Sequence, residues 1–315
     1  IVTQGDANNN WDIFVADLSR TIVPRHQLAT GTDVYNMVNF PWGKYFNSTQ
    51  NMYVYTYGMD FGFCPLLDAK RVVNNPQVAT DLDTLRSVGG EGIRWFLIPD
   101  GRNLTFDANR VPTGRGAGFR EDLWMALDLL SARQMSVILT LIDGNTWCKP
   151  PSEWQGALFG HGEVILNPAK RQAFYNTVII PILRDLADWA AAHPSEPFPV
   201  AAIDLGNELY FGTSTFRGTG VMITDMQTYV REAATLVHQH LPGIPVTVGE
   251  ASAETLVNYW TDRALGVAPG QGLDFYSFHH YGAQPLQGPN GVRAQYGLDQ
   301  LGKRIYLQEF SGKNA

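Results

Sequence analysis

From about residue 53 to residue 309, apolar strand-like runs alternate with amphipathic helix-like segments, and no other feature constrains the fold as much. Residues 53–61 (YVYTYGMDF) are rich in aromatic and β-branched side chains and stop at Gly62. Residues 92–99 (GIRWFLIP), 135–142, 200–208, 244–249, 273–279 and 304–309 repeat the strand-like pattern. Between the first two, residues 78–88 set Val78, Leu82, Leu85 and Val88 on one helical face. Residues 119–133, 169–192, 224–241, 253–265 and 293–301 read as the later helices. Apolar runs joined by helical crossovers form a parallel sheet covered on both faces.

Seven such strands in about 260 residues predict a (β/α)8 TIM-type barrel rather than a doubly wound sheet. No glycine-rich phosphate loop follows the first strand, which removes the main reason for a nucleotide-binding fold. The barrel is one strand short. Three readings stay open: the natural chain continues past Ala315, residues 11–18 (WDIFVADL) fill the eighth position, or the barrel is open. Residues 1–315 are expected to form a single domain, with 51–315 as the barrel core. Residues 1–50, broken by Asn, Gly and Pro, are expected to pack on the barrel as an extension.

Composition excludes some classes of function. Hydrophobic residues are 44% and charged ones 17%, enough for a large core under a modestly charged surface. The net charge of -7, without basic clusters, argues against nucleic acid, whose phosphates need Lys and Arg. No run of about 18 apolar residues marks a membrane span. Cys64 and Cys148 both fall just after strands at one end of the barrel, compatible with one bridge or with two free thiols. No metal-ligand spacing accompanies them, and neither a metal nor an organic cofactor is expected. The chain starts at Ile1 without a signal segment; a secreted or periplasmic location is the expectation, and the oligomeric state is not legible.

Two of the strands end on glutamate: Asp204-Leu205-Gly206-Asn207-Glu208, and Ile305 to Phe310 around Glu309. A carboxylate at the tip of a buried strand is costly unless it has partners or a task there. Two tips so far apart in sequence face each other only if the strands between them curl into a barrel. Facing carboxylates are the equipment of glycoside hydrolysis, one donating a proton and the other acting as nucleophile or base. An aromatic content of 12%, with 8 Trp and 13 Tyr, leans towards a carbohydrate partner.

On these residues the chain resembles the retaining glycoside hydrolases of clan A, whose (β/α)8 barrels include the family five cellulases and mannanases. The resemblance covers roughly residues 50–310. It implies that Asn207-Glu208, ending the fourth strand, carries the general acid, and that Glu309, ending the seventh, is the nucleophile. It also implies that Arg94 on the second strand lies near the nucleophile and that His279 and Tyr281 form the His-x-Tyr pair of the sixth. Asn207 is then expected to bond the sugar 2-hydroxyl, with the two carboxyls roughly 5–5.5 Å apart. The aromatic residue expected after the eighth strand has no counterpart. Trp147, in the long segment 143–167, is expected to line a sugar subsite, and Trp154 is a second candidate there.

Competing assignments remain. Asp100 and Asp143 precede glycine and read as turn residues, Asp60 lies near the first strand's end, and His280 is out of phase with His279. Glu250, ending the fifth strand, is the most serious rival acid. An inactive carbohydrate-binding protein on the same fold is the alternative function. A lyase or aldolase is less favoured, since no strand carries a lysine near its C-terminal tip.

Overall fold

The computed structural model describes residues 37–39, 43–47, 52–57, 72–148, 160–217, 219–282 and 284–310. Seven strands form one parallel sheet: β1 (Met37–Asn39), β2 (Gly92–Phe96), β3 (Ser136–Asp143), β4 (Val200–Asn207), β5 (Val246–Glu250), β6 (Tyr276–His280) and β7 (Ile305–Phe310). Each pairs with the next in chain order. β1 and β7 are the two ends of this ladder, yet Asn39 Nδ2 donates to Glu309 Oε1 at 2.8 Å. The sheet has therefore curled until side chains of its two ends meet. This is the expected barrel, nearly closed.

The first strand is not where the sequence pattern predicts it. Met37–Asn39 pairs parallel with β2, Asn39 opposite Arg94. Met52–Tyr57 instead folds back on Gly43–Asn47 as an antiparallel hairpin. Three residues carry too little periodicity to announce a strand, whereas the aromatic and β-branched run suits any half-buried strand, in barrel or hairpin alike. The barrel core thus begins before residue 51. Residues 11–18, the candidate for the eighth position, lie outside the described residues.

Three of the six predicted helices follow their spans and three are broken, that over 293–301 into a helical turn (Val292–Gln295) and a 3₁₀ turn (Leu298–Gln300). α1 (Pro76–Ser87) opens where Asn75 accepts from the Gln77 amide at 3.1 Å with proline next in line. α2 (Phe119–Ala132) buries Phe119, Leu123, Ala126, Leu127 and Leu130. The predicted helix over 169–192 is three pieces: α3 (Pro168–Phe174), a π-helical turn (Tyr175–Ile179) and α4 (Ile180–Ala192). Pro181, which has no N–H to give, lies two residues past the wide turn. α5 (Ile223–His240) matches its prediction. The run 253–265 splits into α6 (Ala253–Tyr259) and α7 (Asp262–Leu265), because Thr261 accepts from the Ala264 amide and restarts the helix.

Side chains inside the barrel change character along the strands. Met37, Ile138, Ala202 and Phe275 form an apolar layer, with Tyr306 packed on it. Two residues further along each strand, and so on the same face, stand Asn39, Thr140, Asp204 and Ser277. All four are buried. The interior is oil at the strand starts and polar towards their C-terminal tips. Among the described residues, no helix is long and apolar enough to cross a membrane.

Candidate active site

The polar layer is organised around Arg94, which is fully buried on β2. Its Nε and Nη2 donate to Asp204 Oδ2 at 3.0 and 2.7 Å, its Nη2 to Asn207 Oδ1 at 2.9 Å, and its Nη1 to Glu309 Oε1 at 2.6 Å. Burial alone would favour the neutral guanidine, but the Asp204 and Glu309 carboxylates outweigh it and raise the Arg94 pKa. Asp204 is satisfied on all sides, accepting also from Thr140 Oγ1 at 3.0 Å and the Gly249 amide at 2.9 Å. Gly249 leaves room for this pair: a Cβ there would stand 2.7 Å from Arg94 Nη2 and 3.0 Å from Asp204 Oδ2.

Glu309 projects from the tip of β7. Asn39 and Arg94 donate to its Oε1, and the Tyr281 hydroxyl donates a short hydrogen bond to its Oε2. These donors favour the ionised form of the carboxyl. Across the pocket, Glu208 follows directly on β4 in a left-handed backbone conformation, φ 47° and ψ 47°. That conformation costs a non-glycine residue about 1–2 kcal/mol. It is held by the Glu208 amide donating to the Gly249 carbonyl at 2.6 Å and by the Phe211 amide donating to the Glu208 carbonyl at 2.9 Å. Gly144 presses on the same backbone, where a Cβ would stand 2.5 Å from the Glu208 carbonyl oxygen.

His279, on β6, links the two acids. Its Nδ1 lies 2.8 Å from Glu208 Oε1 and 3.4 Å from Glu309 Oε2. One oxygen of each glutamate and one nitrogen of His279 all fall within 4.8 Å of one another. Burial pulls the imidazole towards its neutral form, but the Glu309 and Glu208 carboxylates prevail and raise its pKa above 6.5. The same three atoms have a spacing that a metal ion accepts, but Arg94 already places a positive charge against Glu309. The Glu208 side chain is 18% exposed and that of Glu309 8%, so the more open acid is the one on β4.

The structure thus brings together Arg94, Asn207, Glu208, His279, Tyr281 and Glu309. Asn207 is fixed by Arg94 on one side and donates from Nδ2 to Asp143 Oδ1 at 2.8 Å on the other. Trp147 stands apart, and this corrects its expected place in a sugar subsite. It is fully buried, packed between His161 and Phe174 at ring distances of 5.3 and 5.2 Å, with no face left for a sugar. The residue lies one turn into a short helix (Gly144–Trp147) that turns it into the core. Trp154, Asp60 and Cys64 lie outside the described residues, and Cys148 is a buried free thiol.

The rival acids fall into structural places. Asp100 is paired with Arg102 in its own turn. Asp143 caps the Gly144–Trp147 helix through the Thr146 amide at 2.8 Å while it holds Asn207. Burial pushes the Asp143 carboxyl up against those hydrogen bonds. His280 turns outward and meets the Gln284 carbonyl at 2.7 Å. Glu250 is fully buried beneath the segment that follows Glu208 and takes bonds from the Trp260 indole, the Ala251 amide and the Tyr210 amide.

Two members of the site have no place in the sequence reading. Asn39 sits on a strand too short to see. Asp204 had a signal: a charge in the middle of an apolar strand, four residues before Glu208, is buried whichever way the strand turns.

No protein-family model matches this chain, and neither does any curated protein sequence. Solved structures do match in fold. The β-1,4-mannanase of the sea hare Aplysia kurodai is 18% identical, with a TM-score of 0.63 over 90% of this chain and 82% of that one. The β-1,4-D-mannanase of Cryptopygus antarcticus is 17% identical, with a TM-score of 0.60 over 80% and 77%. The endo-1,4-β-mannanase of Eisenia fetida is 19% identical, with a TM-score of 0.56 over 86% and 73%. The chain shares the (β/α)8-type barrel of these enzymes.

Proposed function

We propose that the protein is a retaining glycoside hydrolase that cleaves β-linked oligo- or polysaccharides, with Glu309 as nucleophile and Glu208 as acid and base. One observation carries this reading: the acids ending β4 and β7 approach within 4.8 Å, oxygen to oxygen, inside a layer that fixes both. Inverting enzymes hold their carboxyls about 6.5–9.5 Å apart to admit a water, and retaining ones about 5–5.5 Å apart for direct attack. The spacing here favours retention.

Arg94, Asn39 and Tyr281 keep a negative charge on Glu309, ready to attack the anomeric carbon. As that bond forms, the glycosidic bond breaks and the leaving oxygen takes a proton from Glu208. Glu208 Oε1 and His279 Nδ1 share a hydrogen bond at 2.8 Å, which orients the carboxyl. In the second half, water gives a proton back to Glu208 and its oxygen displaces Glu309 from the sugar. Asn207, clamped between Arg94 and Asp143, is placed to bond the sugar 2-hydroxyl.

The fold neighbours are named as mannanases, which makes β-1,4-mannan the first substrate to try, beside β-glucan, xylan and galactan. The test is turnover of this panel read by product mass, together with the anomer released. Glu309→Gln should abolish turnover with folding intact. Glu208→Ala should spare aryl glycosides whose leaving groups need no proton. Near-full activity in Glu309→Gln, or an equal loss on all substrates in Glu208→Ala, would sink the assignment.

A further inference from the structure

The segment that follows Glu208 carries more aromatic surface than a connecting loop needs. Leu209–Gly212 is a 3₁₀ turn and Ser214–Arg217 a single helical turn. Within them Phe211 and Phe216 lie 4.4 Å apart, ring centre to ring centre, and Tyr210 lies 6.3 Å from Phe211 and 6.2 Å from Phe216. Tyr210 in turn stacks almost parallel on Tyr259 of α6, at 5.4 Å and 9°. Four rings thus form one continuous cluster, three of them on the segment that directly follows Glu208. Phe216 is 50% exposed, while Tyr210, Phe211 and Tyr259 are half-buried. Single exposed apolar residues are ordinary, but a contiguous aromatic patch beside a site marks a binding surface.

The cluster is also rigidly mounted. The Tyr210 amide donates to buried Glu250 at 3.4 Å, and the Thr213 amide and hydroxyl both donate to the Tyr210 carbonyl, at 3.0 and 2.8 Å. The Ser214 amide donates to the Val221 carbonyl at 2.7 Å. A Cβ on Gly212 would stand 2.6 Å from the Gly144 carbonyl oxygen, so the turn is packed against the neighbouring segment without slack. Rings held this firmly lose little freedom when a ligand settles on them.

We infer that Tyr210, Phe211 and Phe216 form a platform for the sugar units on the leaving-group side of the scissile bond, with Phe216 as its exposed face. The inference rests on the hydrolase reading for its sidedness. The acid must stand beside the leaving oxygen, and the platform is continuous in chain with that acid. The rings lie over the β4–β5 side of the barrel, whereas Asn39 and Arg94, which hold the nucleophile, come from β1 and β2. The exposed, uncharged ring of Phe216 matches the apolar C–H face of a β-linked pyranose and has nothing to offer an anionic ligand.

The experiment measures calorimetric binding of the pentasaccharides of β-1,4-mannan, β-1,4-glucan and β-1,4-xylan to Glu309→Gln, with and without Phe216→Ala, Phe216→Leu or Phe216→Tyr. At least one pentasaccharide should bind. Phe216→Ala and Phe216→Leu should weaken it about five- to tenfold, and Phe216→Tyr should restore it. Phe216→Leu keeps apolar bulk without a ring, so its loss separates stacking from packing. In the chain with Glu309 intact, Phe216→Ala should move the cut towards the reducing end of that pentasaccharide. Unchanged binding in Phe216→Ala, no binding of any pentasaccharide, or a cut moved the other way would overturn the platform. Turnover by the wild type with Phe216 dispensable would remove the platform alone. Ring-dependent binding without turnover by the wild type would remove the hydrolase reading and keep a sugar-binding face.

Discussion

Glu309 and Glu250 make an instructive pair. Both are buried glutamates near strand tips, two strands apart in one sheet. Glu309 meets a guanidinium, an amide and a phenol. Glu250 meets an indole N–H and two backbone amides, and among the described residues no arginine or lysine reaches it. Burial dominates at Glu250 and pushes its pKa from 4.5 up to about 7, with the charge of Glu208 adding to the shift. At Glu250 the neutral donors do not outweigh burial, whereas at Glu309 a guanidinium stands against the carboxylate. The chain builds that cation at one strand tip and omits it at the other.

Removing the cation should break the contrast most severely. Arg94→Met leaves Asp204 buried without countercharge and Glu309 with His279 beside it, and should cost about 3–5 kcal/mol of stability near pH 7. Denaturant unfolding at pH 7 and pH 5 checks it, with a smaller loss at pH 5, where the orphaned carboxyls take up protons. A variant as stable as the parent at pH 7 would show that Arg94 is not what keeps these acids tolerable.

The second effect belongs to Glu250. Its folded pKa lies above its unfolded one, so the native state binds more protons between pH 4.5 and about 7. Stability contributed by the protonated group is therefore lost as pH rises through that window, by up to about 3 kcal/mol. Glu250→Gln should flatten this part of the stability–pH curve. Below that window it should also lose about 1–2 kcal/mol, because the amide group opposes one of the donors around it, whereas above the window the variant should be the more stable of the two. A slope that persists unchanged in the variant would place the titrating group elsewhere.

The smallest effect tests the neutral donor on Glu309. Asn39→Ala removes a hydrogen bond to Glu309 and a longer one from Arg94, and should cost roughly 1.5–2 kcal/mol in unfolding experiments, well short of Arg94→Met. Equal losses from the two substitutions would erase the distinction between cation and neutral donor.

Much of the barrel was legible because strands and helices here obey their own periodicities. The helix over 119–133 and the strand over 200–208 were placed within a residue or two by spacing alone. Arg94, Asn207, Glu208, His279, Tyr281 and Glu309 were legible through motif and strand position. The failures have physical causes. A three-residue strand has no period, so Met37–Asn39 is silent in the sequence beside the more strand-like 53–61, of which the described part pairs in a hairpin. Trp147 reads as a sugar-facing residue because it lies in a long loop-like segment, and only packing against His161 and Phe174 shows otherwise.

By itself the sequence determined the alternation of elements and the two glutamates that close strands four and seven, since backbone periodicity and strand endings are local properties. Tertiary structure decided which buried carboxylate receives a cation, how near the two acids stand, and which rings face outward. Those outcomes depend on side chains from β1, β2, β4, β6 and β7 meeting at one point, and electrostatics inside a barrel is set by neighbours in space rather than in sequence.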